Sequence, residues 1–383
     1  YILDEPSIGL HARDSSRLVR ILKKLRDNGN TVVVVEHDAE VIRSSDHVID
    51  LGPGAGEAGG RVQFIGPTRD LAACRDSLTA DYLAGRKEIA LPRARRRGNG
   101  EKLRIRGARA NNLKNVDCEI PLGTLCCVTG VSGSGKSTLV EDVLYRGLRR
   151  LLGEPGGIAG PCDAIEQWRS IARVVMVDQA PIGTTPRANL LTYMGAYDSL
   201  RRLFASLDVA RLRGYTASTF SFNVEGGRCE TCRGEGFEKV EMQFLSDVYV
   251  PCPECQGARF RAEVLDVKLH GKSIRDVFGM TVADAAEFFR DRRDIVAALE
   301  PLAAVGLDYA RLGQPLTTLS GGEAQRLKLA AHIATPPGQE KPTLFFFDEP
   351  TTGLHFHDVQ KLLGAFDRLI ERGHSLVVIE HNL

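Results

Sequence analysis

Two spacings of apolar residues run through the chain. Short apolar runs bounded by turn residues, TVVVV at 31–35, TLCCVT at 124–129, LFFF at 344–347 and LVVI at 376–379, read as buried strands of a parallel sheet. LVEDVLYRGL (139–148) and EAQRLKLAAHIA (323–334) have helical periodicity, and FEKVEMQFLSDVYV (237–250) alternates as a hairpin strand does. The pattern also repeats. Residues 2–38 match residues 346–382 at a constant offset of 344 without a gap, with 14 of 37 positions identical. Each copy predicts a strand ending in Asp-Glu-Pro, a helix stopped at Gly29 or Gly373, and a second strand ending in Glu-His. That is an αβ unit of a parallel sheet. A shared core explains retained Leu and Val. It gives no reason to retain Asp4, Glu5, Glu36 and His37 as Asp348, Glu349, Glu380 and His381, so the repeat points to two copies of one catalytic scaffold.

Composition narrows the class. The chain has 383 residues, 43% of them hydrophobic, with 50 basic and 49 acidic side chains and a net charge of +1. This suits two or three folded domains and excludes disorder for most of the length. No apolar run approaches the roughly 18–20 residues of a spanning helix, so no membrane is expected. No signal-peptide layout opens the chain, which begins inside a motif at Tyr1 and is expected to be a fragment. The charge is uneven: residues 86–109 hold ten Lys or Arg against Glu88 and Glu101. This stretch reads either as a solvated interdomain linker or as a phosphate-contacting segment.

GVSGSGKST (130–138) stands between an apolar strand and a helix, the context that makes a glycine loop credible. Gly130, Gly133 and Gly135 let backbone N–H groups curl around phosphate oxygens, Lys136 supplies a cation to them, and Ser137 and Thr138 offer hydroxyls to Mg²⁺ and phosphate. LSGGEAQR follows, with Ser320, Gly321 and Gly322 opening a helix; alone it reads as a capped surface helix. Order decides. Glycine loop, LSGGE, an apolar strand ending in Asp348 and Glu349, then His381 is the sequence of an ATP-binding-cassette ATPase. Asp348 then holds Mg²⁺, Glu349 polarises the attacking water, and His381 reaches the γ-phosphate. Gln179 falls where a glutamine loop contacts Mg²⁺ and water. Asp4, Glu5 and His37 are the same residues in the first copy.

Nine cysteines are an odd number, against a fully paired disulfide framework, and a reducing cytoplasm is expected. Cys74, Cys118, Cys126, Cys127 and Cys162 read as buried free thiols. The other four form RCETCRGEGF and VPCPECQGARF, two CxxC pairs 19 residues apart. Cys229, Cys232, Cys252 and Cys255 suit tetrahedral Zn²⁺ with no open position, with a redox dithiol or an iron–sulfur cluster as alternatives. The charges around them, Arg228, Arg233 and Lys239, read as a solvated zinc-ribbon face or as a probe of nucleic acid. CETCRGEG also fits one repeat of the DnaJ-type chaperone zinc domain, which leaves the ATPase motifs unexplained.

Taken together, ILDEPSIGLH, NNLKNVDCEIPLG, GVSGSGKSTL, DQAPIGTTPRAN, FSFNVEGGRCETC, YVPCPEC, TTLSGGEAQRLKLA and FFDEPTTGLHFHD make the chain resemble the UvrA family, ATPase subunits of the bacterial nucleotide-excision-repair complex, over essentially its whole length. The resemblance implies an α/β fold of ABC-type P-loop cassettes with an inserted signature domain carrying a zinc-ribbon-like module. It implies that 1–85 ends the first nucleotide-binding domain, 86–101 is a basic linker, 102–152 begins the second cassette, 153–315 is the inserted domain with its zinc module at 222–262, and 316–383 completes the cassette. It further implies ATP, Mg²⁺ and Zn²⁺ as cofactors, damaged double-stranded DNA as ligand, a homodimer, and a UvrB-like partner bound through a region upstream. The expected function is lesion recognition and partner loading without DNA cleavage. Thr184 and Leu190 stand where the family has Arg and an Asn-Pro pair, which keeps open a paralogue conferring resistance to DNA-binding drugs. A transporter's ATPase subunit shares the ATP motifs, but a zinc ribbon argues against it.

Overall fold

The computed structural model describes residues 1–383 except 184, 241, 243–247, 336–340 and 382–383, and except the side chains of 12, 239 and 248. Thr184, the side chain of Lys239 and much of the alternating segment after it therefore lie outside the described residues. The chain forms two compact units, Tyr1–Gln179 with Thr335–Leu383, and Ala180–Ala334.

The first unit is built on a four-stranded parallel sheet in the order Leu125–Val128, Ser375–Ile379, Thr343–Asp348, Arg173–Val177. Its two middle strands are apolar because both faces are covered, the condition under which alternation disappears. The helix Phe356–Glu371 buries Val359, Leu362, Phe366, Leu369 and Ile370 along one side, with the Phe366 ring 4.6 Å from that of Phe347. It ends at Arg372, and Gly373 then takes φ 87°, the left-handed turn that glycine adopts without strain. An antiparallel sheet of Lys102–Ala108 with Val116–Pro121 and Ala164–Glu166 contributes Leu103, Ile105 and Ile120 to a core shared with Leu344, Phe346, Val377 and Ile379 of the two middle strands. Because Arg173–Val177 pairs with Thr343–Phe347, residues 153–179 stay with the glycine-loop sheet rather than opening the inserted domain, and the compact second unit starts at Ala180.

The repeat survives in three dimensions. Ile2–Asp4 pairs in parallel with Val33–Val35 through Ile2↔Val33, Leu3↔Val34 and Asp4↔Val35, which is Phe346↔Val377, Phe347↔Val378 and Asp348↔Ile379 moved by 344. Ile2, Val33 and Val35 are exposed, whereas their counterparts are buried.

Two expectations need correction. The segment after the glycine loop is wound as a π-helix over Thr138–Tyr145 before the α-helix Arg146–Leu151. Its buried Val140, Val143, Leu144 and Leu148 keep the spacing that predicted a helix, and that spacing does not separate the two windings. The five scattered cysteines are free, but Cys74, Cys118, Cys126 and Cys162 are only half-buried and Cys127 is exposed. Cys126 and Cys127 lie on an edge strand, where alternate residues turn outward. In the basic stretch, Arg96 pairs with Asp367 at 3.0 Å and with Glu371 at 3.5 Å, so the acidic flank of the helix takes up part of its charge.

The second unit packs short helices around an aromatic core. Tyr197 stacks on Phe222 at 4.8 Å, with Phe278 edge-on at 5.7 Å. The buried Tyr197 hydroxyl donates to the Phe220 carbonyl at 2.7 Å and accepts from the Phe222 N–H at 3.2 Å. Tyr197→Phe leaves both backbone groups without that partner and should cost about 1–3 kcal/mol. Denaturant unfolding of the variant measures it, and a loss below about 0.5 kcal/mol would show that another group takes over those bonds.

Candidate functional site

The glycine loop has the backbone its sequence demands: Gly130, Gly133 and Gly135 take φ of 147°, 75° and 103°. A Cβ at Gly135 would sit 2.8 Å from Asn112 Oδ1. Asn112 donates to the Gly133 carbonyl at 2.9 Å and Asn111 to the Thr138 hydroxyl at 3.2 Å. These two asparagines brace the loop, and motif spacing alone does not disclose them. Lys136 is buried and donates to the carbonyls of Gly130 and Val131 at 3.0 and 3.1 Å.

Beyond the carboxyl end of the Thr343–Asp348 strand, Glu141, Asp178 and Asp348 line one cleft with Met176, Phe347 and Ile379. Burial first, and then the charges of Glu349 and Glu141, push the Asp348 carboxyl above its ordinary value. A divalent cation would relieve that repulsion. Glu349 follows in a left-handed backbone, φ 44°, and its Oε1 stands 3.1 Å from Nε2 of His381, whose side chain is 10% exposed. Gln179 donates to the Glu349 carbonyl at 3.4 Å. The structure thus gathers Gln179, Glu349 and His381 at the strand end that carries Asp348. In the first copy Glu5 takes φ 41°, with Oε1 3.7 Å from His37 Nε2. The copies face each other: a Cβ on Gly9 would lie 3.6 Å from the Glu349 carboxylate, and one on Gly353 would lie 3.0 Å from that of Glu5.

Ser320, in the second unit, caps the helix Gly321–Ile333, accepting from the Glu323 N–H while its own N–H donates to Glu323 at 2.8 Å. Ala324, Gln325, Arg326, Leu327, Leu329 and Ala330 are buried, so this is a packed helix rather than the surface helix that the motif alone suggested. Gly321 and Gly322 form its first turn.

The four paired cysteines form a closed, buried cluster whose sulfurs all lie within 4.8 Å of one another. Sγ separations of 4.0 Å for Cys229 and Cys252 and 3.6 Å for Cys232 and Cys255 bracket the roughly 3.8 Å edge of a tetrahedron with 2.3 Å metal–sulfur bonds. The two turns are equivalent, Arg233 and Gly234 after one pair and Gln256 and Gly257 after the other all having positive φ. Gly236 N–H donates to Cys232 Sγ at 3.2 Å. These residues fit a four-thiolate metal site. Arg259, which motif reading passed over, is buried beside it between Phe222 and Phe278, its guanidinium 5.3 and 5.9 Å from their ring centres. Of the basic residues expected to probe nucleic acid, Arg228 is instead largely buried and paired with Glu225 and Glu230, whereas Arg233 is exposed.

No protein-family profile matches the chain. The UvrABC system protein A of Clostridium perfringens is 52% identical over 383 residues, all of this chain and 41% of the relative. That of Methanothermobacter thermautotrophicus is 54% identical, over all of this chain and 40% of the relative. The chain belongs to the UvrA family. It spans about two fifths of the length of these relatives. The crystal structure of UvrA2 from Deinococcus radiodurans superposes with a TM-score of 0.89 at 46% identity, over all of this chain and 46% of that one. The fold is thus that of an ABC-type P-loop ATPase in its UvrA form, with the four-cysteine cluster in the unit between its cassette segments. Among the described residues no helix is long and apolar enough to cross a membrane.

Proposed function

We propose that the chain is part of a DNA-damage-recognition ATPase of nucleotide excision repair. In this reading the glycine loop holds ATP through Gly130, Gly133, Gly135 and Lys136, while Ser137, Thr138 and Asp348 serve Mg²⁺ and phosphate. Glu349 polarises the attacking water, and Gln179 and His381 orient it and the γ-phosphate. The observation that carries it is the Glu349–His381 contact of 3.1 Å, beside the carboxyl cleft at a parallel strand's end. Glu5, His37 and Asp4 supply the same groups to a second site, and Ser320, Gly321 and Gly322 present a helix N-terminus to a γ-phosphate. Zinc on the four thiolates is structural, because the donor set is closed and leaves no position for substrate. The family relationship supports damaged duplex DNA and a UvrB-like protein as partners, a homodimeric assembly and a cytoplasmic setting.

DNA contact falls to exposed residues of the cysteine module, Arg233 among them. Lesions vary in chemistry, so a fixed base code is excluded and phosphate contacts and duplex distortion dominate. Arg233→Glu, in the full-length protein, should weaken duplex binding and lower the log–log salt slope by about one. A salt titration on damaged and intact duplex is the test. Unchanged affinity and slope on both would place this face off the DNA path.

A further inference from the structure

The glutamate before each terminal histidine of the repeat has no part in the ATP chemistry assigned above, yet it is identical in both copies. Glu380 accepts from the Thr351 N–H through one carboxylate oxygen at 2.9 Å and from the His381 N–H through the other at 3.0 Å. Glu36 does the same in the first copy, accepting from the Ser7 N–H at 2.9 Å, the His37 N–H at 3.0 Å and the Asp38 N–H at 3.2 Å. One carboxylate thus ties the turn after the Asp-Glu pair to the segment carrying the histidine. The turns are held where backbone strain is stored: Glu5 and Glu349 are both left-handed, at φ 41° and 44°. A non-glycine residue persists there only when its surroundings over-determine it. Charge-assisted bonds to backbone N–H groups on both sides supply that constraint.

We propose that Glu380, and Glu36 in the first copy, is a positioning residue: a carboxylate staple that holds the strained glutamate and the histidine of each copy in register. For its effect on turnover the proposal rests on the reading of Glu349 as the water-activating group. Glu380→Gln is the discriminating variant, since the amide keeps the size but turns an NH₂ group toward a backbone N–H donor. Losing one charge-assisted bond of this kind corresponds to roughly 10–100-fold.

The experiment compares wild type, Glu380→Gln, Glu380→Asp and Glu349→Gln in the full-length protein, by ATP turnover and by amide hydrogen exchange. Glu380→Gln should lower kcat about tenfold or more with KM for ATP within about twofold, and speed exchange at 351–353 and at 380–381 about tenfold, while the helix Phe356–Glu371 exchanges as before. Glu380→Asp, too short to reach both sides, should show the same loss rather than rescue. Unchanged exchange at those amides overturns the staple, whatever the turnover. Unchanged kcat in Glu380→Gln alongside a slowed Glu349→Gln overturns its role in positioning. If Glu349→Gln turns over normally, it is the water-activation reading that fails, and the exchange data still decide the staple.

Discussion

Glu349→Gln, in a protein carrying both cassettes, should leave ATP affinity within about twofold of wild type and lower steady-state turnover about 10²-fold or more, the usual contribution of a positioned general base. Gln preserves the size and the accepting oxygen of the side chain but neither polarises water through a negative charge nor takes its proton. In the proposed reading, ground-state contacts to nucleotide fall instead on the glycine loop, where Lys136 is buried and donates to the Gly130 and Val131 carbonyls. Lys136→Ala should therefore show the opposite split, a weaker affinity for ATP, because the cation facing the phosphates is gone. Nucleotide titration and turnover of the two variants side by side decide it. Equal affinity in wild type and Lys136→Ala would refute the phosphate cradle, and undiminished turnover in Glu349→Gln would refute the water-activating role. The second copy of the Glu–His pair does not mask the result if Glu5→Gln is measured as well, since each carboxylate rests against the glycine turn of the other copy.

What the sequence disclosed and what it withheld divide along a physical line. Local features carry local signatures. The αβ repeat, its register offset of 344, the glycine loop with its three positive φ angles and the paired cysteines follow from spacing and from residues whose backbone preferences are strong. Contacts between distant segments leave no periodic trace. Asn111 and Asn112 brace a loop some twenty residues away, and Asp178 meets Asp348 only because their strands are neighbours in the sheet. Arg228 shows the same limit from the other side: its charge suggested a nucleic-acid contact, but two nearby glutamates claim it. Domain limits suffered most. Residues 153–179 have no composition of their own and join the first unit through a strand pairing with residues about 170 positions later. The identity of Glu36 and Glu380 was visible in the repeat, and its reason became legible only when both oxygens were seen to accept backbone N–H groups.

Metal removal should have the largest effect on the second unit. The purified protein should hold one zinc at the four thiolates, and Cys252→Ser should abolish it. Apparent zinc-binding free energies at four-ligand structural sites run to about 10–16 kcal/mol, as large as the whole stability of a typical domain at about 5–15 kcal/mol. Cys252 is fully buried, so a serine hydroxyl there both fails as a soft ligand and is placed in an enclosed site. The damage should also spread along a definite path. Arg259 carries a buried positive charge beside the cluster, its backbone carbonyl accepts from the Cys229 N–H at 2.8 Å, and its guanidinium donates to the Pro186 and Gly313 carbonyls at 3.3 Å. Four thiolates on Zn²⁺ leave a net charge of about −2 next to that guanidinium. Without metal the thiols protonate, and Arg259 is left as an uncompensated buried cation whose bonds reach into the aromatic core. Hydrogen exchange should therefore rise across 222–262 and next at the segments around Pro186 and Gly313, while the strands Thr343–Asp348 and Ser375–Ile379 keep wild-type protection. Chelation of zinc from wild type should reproduce the pattern, which separates metal loss from any harm done by the serine. Iron in the metal analysis, or a metal-free protein with native protection over 222–262, would overturn the assignment, since local folding of a four-thiolate module is coupled to its metal.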